Sequence, residues 1–418
     1  MNGSPPSHRL LLGLAFATLV VAAGMWIFYR NSEDGSPEAG TSTSVAANEV
    51  TTTSEQQAQQ ATTTQVQTPD SVPDDEPGLG DVRVGELVAF VESTRGLSFD
   101  TLPEVVIQPE PEFRDQLGVY LARELDAQEV AESERIYRAL GLSPADQDVE
   151  PLLREFLQRR TLGYYDADTV TVRVVAELGR LSESVLVREL THALEDQYFD
   201  YDTERFEGRD DESELAFQSV VEGNAAFVEL AFIAQLSESD QTEVRLAQAA
   251  LAPQPPLSEA VLTALGFPYA EGSLYSSTLY SAGGNSMQDD ALVRSPRTSE
   301  QISEGQIIGQ EEPVSELGIP PADAAEVSRG VLGSLTLRLV METAVPPGEA
   351  RALSLQWGGD AYVSWDEATA QCVRVDIVAE TEQAHVRMLA ALTAAAEVRS
   401  GGAQVEVVDD AIRYTACG

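Results

Sequence analysis

The stretch VLVRELTHALEDQ, at residues 185–197, constrains the fold more than any other part of this chain. Its apolar residues recur at helical spacing and predict a helix with a buried face. Arg188, His192 and Asp196 follow one another at intervals of four, so they line one side of that helix, with Glu189 beside them. Because unpaired charges are costly to bury, this row must meet partners on a neighbouring element.

A second strongly apolar helix is predicted at residues 213–236, which contain SVVEGNAAFVELAF. Glu222 is followed there by Gly223, Asn224 and Ala225. Small residues at these positions let a neighbouring helix approach closely and bury the carboxylate at the contact. The two helices therefore predict a shared polar centre, with His192 on one helix and Glu222 on the other.

The two helices carry the fragments RELTH, at residues 188–192, and EGNA, at residues 222–225. A histidine at position 188 would complete H-E-x-x-H, in which two histidines bind zinc and the glutamate is the general base. The pair of fragments resembles the H-E-x-x-H…E-G-x-A pattern of gluzincin-type zinc metallopeptidases, and more closely a poorly characterised set of bacterial metallopeptidase-like proteins. Further fragments agree in order over most of residues 81 to 370: RGL at 95, LGYYDADT at 162, FPYAEG at 267, GG at 283, PRTSEQI at 296 and WGGDAY at 357.

This resemblance implies an α+β fold, with a mainly helical zincin-like body and a small edge sheet. It also implies that residue 188, His192 and Glu222 are the zinc ligands and that Glu189 is the general base. Residue 188 is arginine, which stays protonated and offers no lone pair to a metal. Because a catalytic zinc normally holds three protein ligands, we interpret Glu189, His192 and Glu222 as vestigial and Arg188 as the residue that blocks the site.

Three interpretations of this centre follow. In the first, Arg188 replaces the charge of the metal by pairing with Glu222, and with Glu189 or Asp196, so that no cofactor is bound. The chain is then not an enzyme and acts by binding a peptide or protein partner. A cleft lined by tyrosines would favour this interpretation, and the candidates are Tyr164, Tyr165 and Tyr269.

The second interpretation is an active zinc metallopeptidase with an altered ligand set. His192, Asp196 and Glu222 would form a displaced zinc site, and Glu189 would be the general base. The third is a structural module of the cell surface in which the resemblance records ancestry only. His192 taken alone would also suit a hydrogen-bonded histidine of the core.

Leu10–Tyr29 is a run of 20 residues without a charge, which is long enough to cross a bilayer as a helix. Trp26 and Tyr29 lie near its end, where aromatic side chains favour the membrane interface. A cleaved signal peptide is the alternative. We predict a single-pass anchor in the cell membrane at residues 10–29, with residues 1–9 cytoplasmic and the body extracytoplasmic.

Residues 30–80 are dominated by Ser, Thr, Gln and acidic residues and predict a disordered tether. The whole chain has 26 Lys+Arg against 69 Asp+Glu, a net charge of −43, and none of the 26 is lysine. Such a surface repels nucleic acid, so nucleic-acid binding is excluded as a function. Adaptation to salt or a genome-wide bias explains the acidity as well. The chain also lacks a G-x-S-x-G motif and a phosphate-binding glycine loop.

After Pro346-Pro347 the pattern changes to strand–strand–helix–strand–strand, which predicts a small C-terminal α+β unit. We therefore divide the folded part into a metallopeptidase-related domain at 81–345 and a C-terminal unit at 346–418. Cys372 and Cys417 both fall in predicted strands of this unit. In an exported chain such a pair predicts a disulfide, and the alternative is two free thiols in a cytoplasmic protein.

Overall fold

The computed structural model describes residues 81–418, apart from 168, 170, 202–210, 252–256, 310–313, 369 and 400, together with the backbone of Ala17–Leu19. Within these residues the chain forms thirteen helices and two small sheets, so the predicted α+β class with a mainly helical body is confirmed.

The helices are α1 (Asp81–Arg95), α2 (Glu110–Glu124), α3 (Ala127–Leu140), α4 (Val149–Arg160), α5 (Arg180–Phe199), α6 (Asp211–Gln235), α7 (Glu238–Ala250), α8 (Glu259–Gly283), α9 (Asn285–Val293), α10 (Ser299–Glu304), α11 (Gly333–Glu342), α12 (Pro347–Ser354) and α13 (Glu382–Val398). The strands are β1 (Ala17–Leu19), β2 (Glu104–Gln108), β3 (Thr161–Asp166), β4 (Thr171–Val175), β5 (Glu326–Gly330), β6 (Trp357–Glu367), β7 (Ala370–Ala379), β8 (Ala403–Val408) and β9 (Ala411–Cys417).

The first sheet has the order β1-β3-β4-β2, in which only β2 and β4 are parallel. Its strands pack against α5, whose apolar residues join Val172 and Val174 in one buried cluster. Gly163 permits this contact, because a Cβ there would lie 2.5 Å from Cγ1 of Val185. The small edge sheet implied by the resemblance thus lies directly on the helix that carries Arg188.

Helices α6 and α8 approach one another at two glycines. A Cβ on Gly223 would lie 2.2 Å from the carbonyl oxygen of Gly272, and one on Gly272 would lie 2.2 Å from that of Ser219. The close approach predicted at Gly223 is therefore present, but the neighbour is α8. Since α5 also packs against α6, α6 carries contacts on two sides.

The second sheet has the order β5-β6-β7-β9-β8, and every neighbouring pair is antiparallel. The sequence β6, β7, α13, β8, β9 confirms the pattern predicted for the C-terminal unit. Cys372 and Cys417 lie opposite one another in β7 and β9 and are joined as predicted, with 1.94 Å between the sulfurs. Strand β5, which precedes residue 346, was not predicted to join this sheet.

One continuous cluster of buried side chains extends from Phe113 in α2 to Ala416 in β9. The C-terminal sheet therefore shares its core with the helices, and α3 packs directly on β7. A second cluster lies between the first sheet, α1 and α5. The candidate site described below lies on α5 and α6.

The predicted anchor at residues 10–29 and the tether at residues 30–80 fall outside the described residues, except for Ala17–Leu19. These three residues form a strand, β1, which pairs with β3, where a helix was predicted. Within the part of the chain that is described, no helix has both the length and the apolarity needed to span a membrane. The anchor therefore stays a prediction.

Glu300, on α10, links the helices to the second sheet by accepting a hydrogen bond from the backbone N–H of Trp357 at 3.0 Å. Burial, followed by repulsion from Glu380, Glu304 and Glu212, raises the pKa of Glu300 from 4.5 to about 9. Because the folded state favours the protonated form of Glu300, this group contributes its full stabilisation below the unfolded pKa of 4.5. That contribution to the free energy of unfolding is lost as the pH rises towards 9.

We expect the Glu300→Gln variant to lack this dependence. Relative to it, the free energy of unfolding of the wild type should fall by about 1.4 kcal/mol per pH unit across the same interval. Glutamine keeps an oxygen for the Trp357 N–H, so the hydrogen bond is retained. Denaturant titrations of both proteins at several pH values measure the difference, and parallel curves would show that Glu300 is already ionised at neutral pH.

Candidate functional site

The candidate site lies where α5, α6 and α8 meet. Helix α5 contributes Arg188, Glu189 and His192, because residues 188, 189 and 192 all lie on the part of this helix that is buried. Helix α6 contributes Glu222, as the sequence predicts, and α8 contributes Tyr269. The predicted polar centre between the two apolar helices is therefore present.

Arg188 bridges two glutamates of α6. Its Nη2 donates to Oε2 of Glu222 at 2.7 Å, and its Nη1 donates to Oε2 of Glu229 at 3.0 Å. The guanidinium carbon also lies 5.0 Å from the centre of the Tyr269 ring. Since the arginine is only 5% exposed, this ion pair is withdrawn from water.

Glu229 is a partner that the sequence analysis did not identify. It lies seven residues after Glu222, which is two helical turns, so both carboxylates face α5. Its other oxygen accepts a hydrogen bond from Oγ of Ser184 at 3.1 Å. The spacing of the two glutamates on one helix was the signal that could have revealed it.

Both members of the Arg188–Glu222 pair are charged. Burial by itself lowers the pKa of Arg188, but the negative charges of Glu222 and Glu229 outweigh burial and raise it. Burial raises the pKa of Glu222, but Arg188 and then His192 outweigh burial and lower it to about 2. The centre is therefore a persistent ion pair at neutral pH.

His192 and Tyr269 complete the surroundings of Glu222. Nε2 of His192, a side chain with no solvent exposure, lies 3.6 Å from Oε2 of Glu222. The Tyr269 hydroxyl donates to Oε1 of Glu222 at 3.3 Å. Each carboxylate oxygen of Glu222 thus has a positively polarised neighbour, which stabilises the buried negative charge.

Glu189 lies beside this ion pair without joining it. The residue has no solvent exposure, and neither carboxylate oxygen has a hydrogen-bond partner of normal geometry among the described residues. Burial, followed by the negative charge of Glu222, raises the pKa of Glu189 well above its usual value. Both effects disfavour the ionised form of Glu189, which is the form that a general base needs.

Asp196 lies away from this ion pair. Its Oδ2 accepts from the hydroxyl of Tyr165 at 2.9 Å, and its Oδ1 accepts from the backbone N–H of Tyr201 at 2.9 Å. The structure therefore does not bring Asp196 together with His192 and Glu222, because Asp196 holds β3 and the start of the loop after α5.

The described residues contain one group of three potential ligand atoms within 4.8 Å of one another, formed by Glu367, Cys372 and Cys417. The two sulfurs of that group are joined in the disulfide.

Two of the three tyrosines predicted to line a cleft do not line one. Tyr164 and Tyr165 are each 2% exposed and belong to the core. Tyr164 stacks on Tyr120 with ring centroids 4.4 Å apart. Only Tyr269 lies at the candidate site, because β3 is covered by α2 on one face and by α5 on the other.

These residues do not fit the zinc ion that the resemblance implies. A guanidinium occupies the first ligand position and donates to the glutamate that would be the third ligand. The cation repels a metal, and His192 and Glu222 are too few ligands for a zinc centre. The chemistry that this centre supports is that of a buried ion pair which joins α5 to α6.

Comparisons of the chain with protein-family models, with curated proteins and with solved structures found no match.

Proposed function

We propose that this protein is a membrane-anchored, extracytoplasmic relative of the metallopeptidases that binds a peptide or protein partner and does not hydrolyse it. The observation that carries the proposal is the Arg188 bridge to Glu222 and Glu229 at 2.7 and 3.0 Å. The bridge supplies a fixed positive charge at the position where the family pattern has a zinc ligand. Loss of the ligand removes the metal that would activate water, and burial disfavours the ionised form of Glu189 that a general base needs.

The kind of partner is suggested by strand β3. Its outer edge pairs antiparallel with the short extended segment Ala17–Leu19, and this edge becomes free for another chain when residues 10–29 lie in the membrane as proposed. An edge strand that accepts an extended chain offers backbone hydrogen bonds to a peptide, with little dependence on its side chains. We therefore propose an extended peptide segment as the ligand.

The experiment is a comparison of zinc content and peptide binding in the purified full-length wild type, Arg188→His and Arg188→Gln. We expect the wild type and Arg188→Gln to carry no stoichiometric zinc and Arg188→His to bind one zinc ion per chain, because histidine completes the ligand set. Glutamine removes the same positive charge but supplies no imidazole. If only Arg188→His binds zinc, the added ligand is the cause; if Arg188→Gln also binds zinc, removal of the repelling charge is sufficient.

Fluorescein-labelled casein tests whether the protein binds a peptide chain without cleaving it. We expect its anisotropy to rise with wild-type protein while no fragments appear. Stoichiometric zinc in the wild type, or cleavage that a chelator abolishes, would replace this proposal with an active metallopeptidase. Absence of both casein binding and cleavage would favour a structural surface module.

A further inference from the structure

A cavity of about 680 Å³ lies outside the candidate site. It is open to solvent and is bordered by the first turn of α6, the loop before α10, residues 314–319 and the neighbouring parts of β5 and β6. Glu212 in its wall precedes Glu222 by ten residues, or roughly 15 Å along α6. A cavity of this size holds a small ligand or a few residues of a peptide.

Arg297 supplies the charge that this cavity offers. Of the arginines in the described ranges, it is the one whose guanidinium has neither an ion pair nor a hydrogen bond, whereas its backbone N–H is held by Gln301 at 2.7 Å. Acidic residues outnumber basic ones by 69 to 26 in this chain. A lining guanidinium without a carboxylate partner is therefore available to an external anion.

Two of the three carboxylates in the lining, Asp360 and Glu212, are already occupied, and the third is the exposed Glu316. Asp360 accepts the backbone N–H groups of Leu332 at 2.8 Å and Gly333 at 2.9 Å, which lie at the start of α11, and also accepts Nε1 of Trp357 at 3.0 Å. Glu212 accepts the N–H of Ser299 at 2.8 Å. Since these two acids hold α10, α11 and β6 together, the charged side chains left for a ligand are Arg297 and Glu316, and of these Arg297 suits an anion.

We propose that this cavity binds the carboxyl-terminal end of a short apolar peptide. The carboxylate pairs with Arg297, whose planar fork suits a bidentate contact, and the apolar residues pack against Leu317, Val331 and Trp357. This site shares no residue with the Arg188 centre or with strand β3, so substitution of Arg297 leaves the proposed peptide-binding edge unchanged.

The test uses N-acetyl-Ala-Ala-Leu with a free carboxylate, titrated calorimetrically into the full-length protein. We expect binding to the wild type, at least about tenfold weaker binding to Arg297→Gln, and at least about tenfold weaker binding of the same peptide with an amidated C-terminus. Arg294→Gln is the matched control. Arg294 is also exposed, but it pairs with Asp290 at 2.8 Å and lies outside the lining. The Arg294→Gln variant should therefore bind the peptide with the affinity of the wild type.

Arg297→Gln should have the same melting temperature as the wild type, because the side chain of Arg297 has no partner to lose. The proposal is overturned if wild type and Arg297→Gln bind the free acid equally, or if the wild type shows no binding at about 10 mM peptide. It is also overturned if Ala-Ala-Leu-amide with a free amino terminus binds more tightly than the acid, because Glu316 would then be the anchor.

Discussion

Replacement of Arg188 by methionine is expected to lower the free energy of unfolding by about 3–5 kcal/mol, because it leaves Glu222 and Glu229 buried without their cation. The two carboxylates are 5% and 8% exposed, so water cannot replace the guanidinium. Methionine keeps most of the aliphatic volume, which limits the contribution of a cavity. Chemical denaturation at pH 7 measures the loss.

The pH dependence of this loss identifies its cause. In the wild type the lowered pKa of Glu222 contributes stability above 4.5 that is lost as the pH falls towards about 2. Without Arg188 the burial raises the pKa of Glu222, so the variant gains stability as this group is protonated. We therefore expect a smaller difference between the two proteins at pH 4 than at pH 7.

Two controls sharpen this result. The triple variant Arg188→Met, Glu222→Gln, Glu229→Gln should recover much of the loss, because no buried charge remains unpaired. Equal melting of wild type and Arg188→Met at pH 7 would show that the ion pair contributes nothing to the fold, and the interpretation of Arg188 as a replacement for metal charge would fail.

A second large effect is expected at Arg95, which begins the RGL fragment and is 1% exposed. It donates to Glu195 on α5 at 2.5 Å, to Asp289 on α9 at 2.6 Å and to Gln288 at 3.2 Å. Burial lowers the pKa of Arg95, but Glu195 and Asp289 outweigh burial and raise it. Arg95→Met should cost about 3–5 kcal/mol, since Glu195 has no exposure.

Arg294→Met provides the comparison for Arg95. Its pair with Asp290 is 57% and 47% exposed at the two side chains, and such pairs contribute about 0–1 kcal/mol. Hydrogen exchange should also show α1 losing protection in Arg95→Met, because that arginine connects the end of α1 to α5 and α9. A similarly small loss of unfolding free energy in Arg95→Met and Arg294→Met would contradict the role of Arg95 in holding α1 to α5 and α9.

Local features of the sequence were sufficient for much of the fold. Apolar periodicity places α5 and α6, and alternation places β6 to β9. The conclusion that Arg188 cannot be a zinc ligand needs no coordinates either, because a guanidinium has no lone pair to donate. These inferences depend on a residue's chemistry and on neighbours a few positions away.

The tertiary structure decided which groups meet. Asp196 has the same helical spacing from His192 as Arg188, yet it bonds Tyr165 on β3 and the backbone of Tyr201 after α5. Whether Glu229 faced α5 or α8 likewise depended on how the helices pack. Helical spacing specifies which side chains share a face, but what covers that face depends on elements far away in the sequence. The burial of β3, the joining of β5 to the second sheet and the exposed guanidinium of Arg297 all depend on such distant contacts.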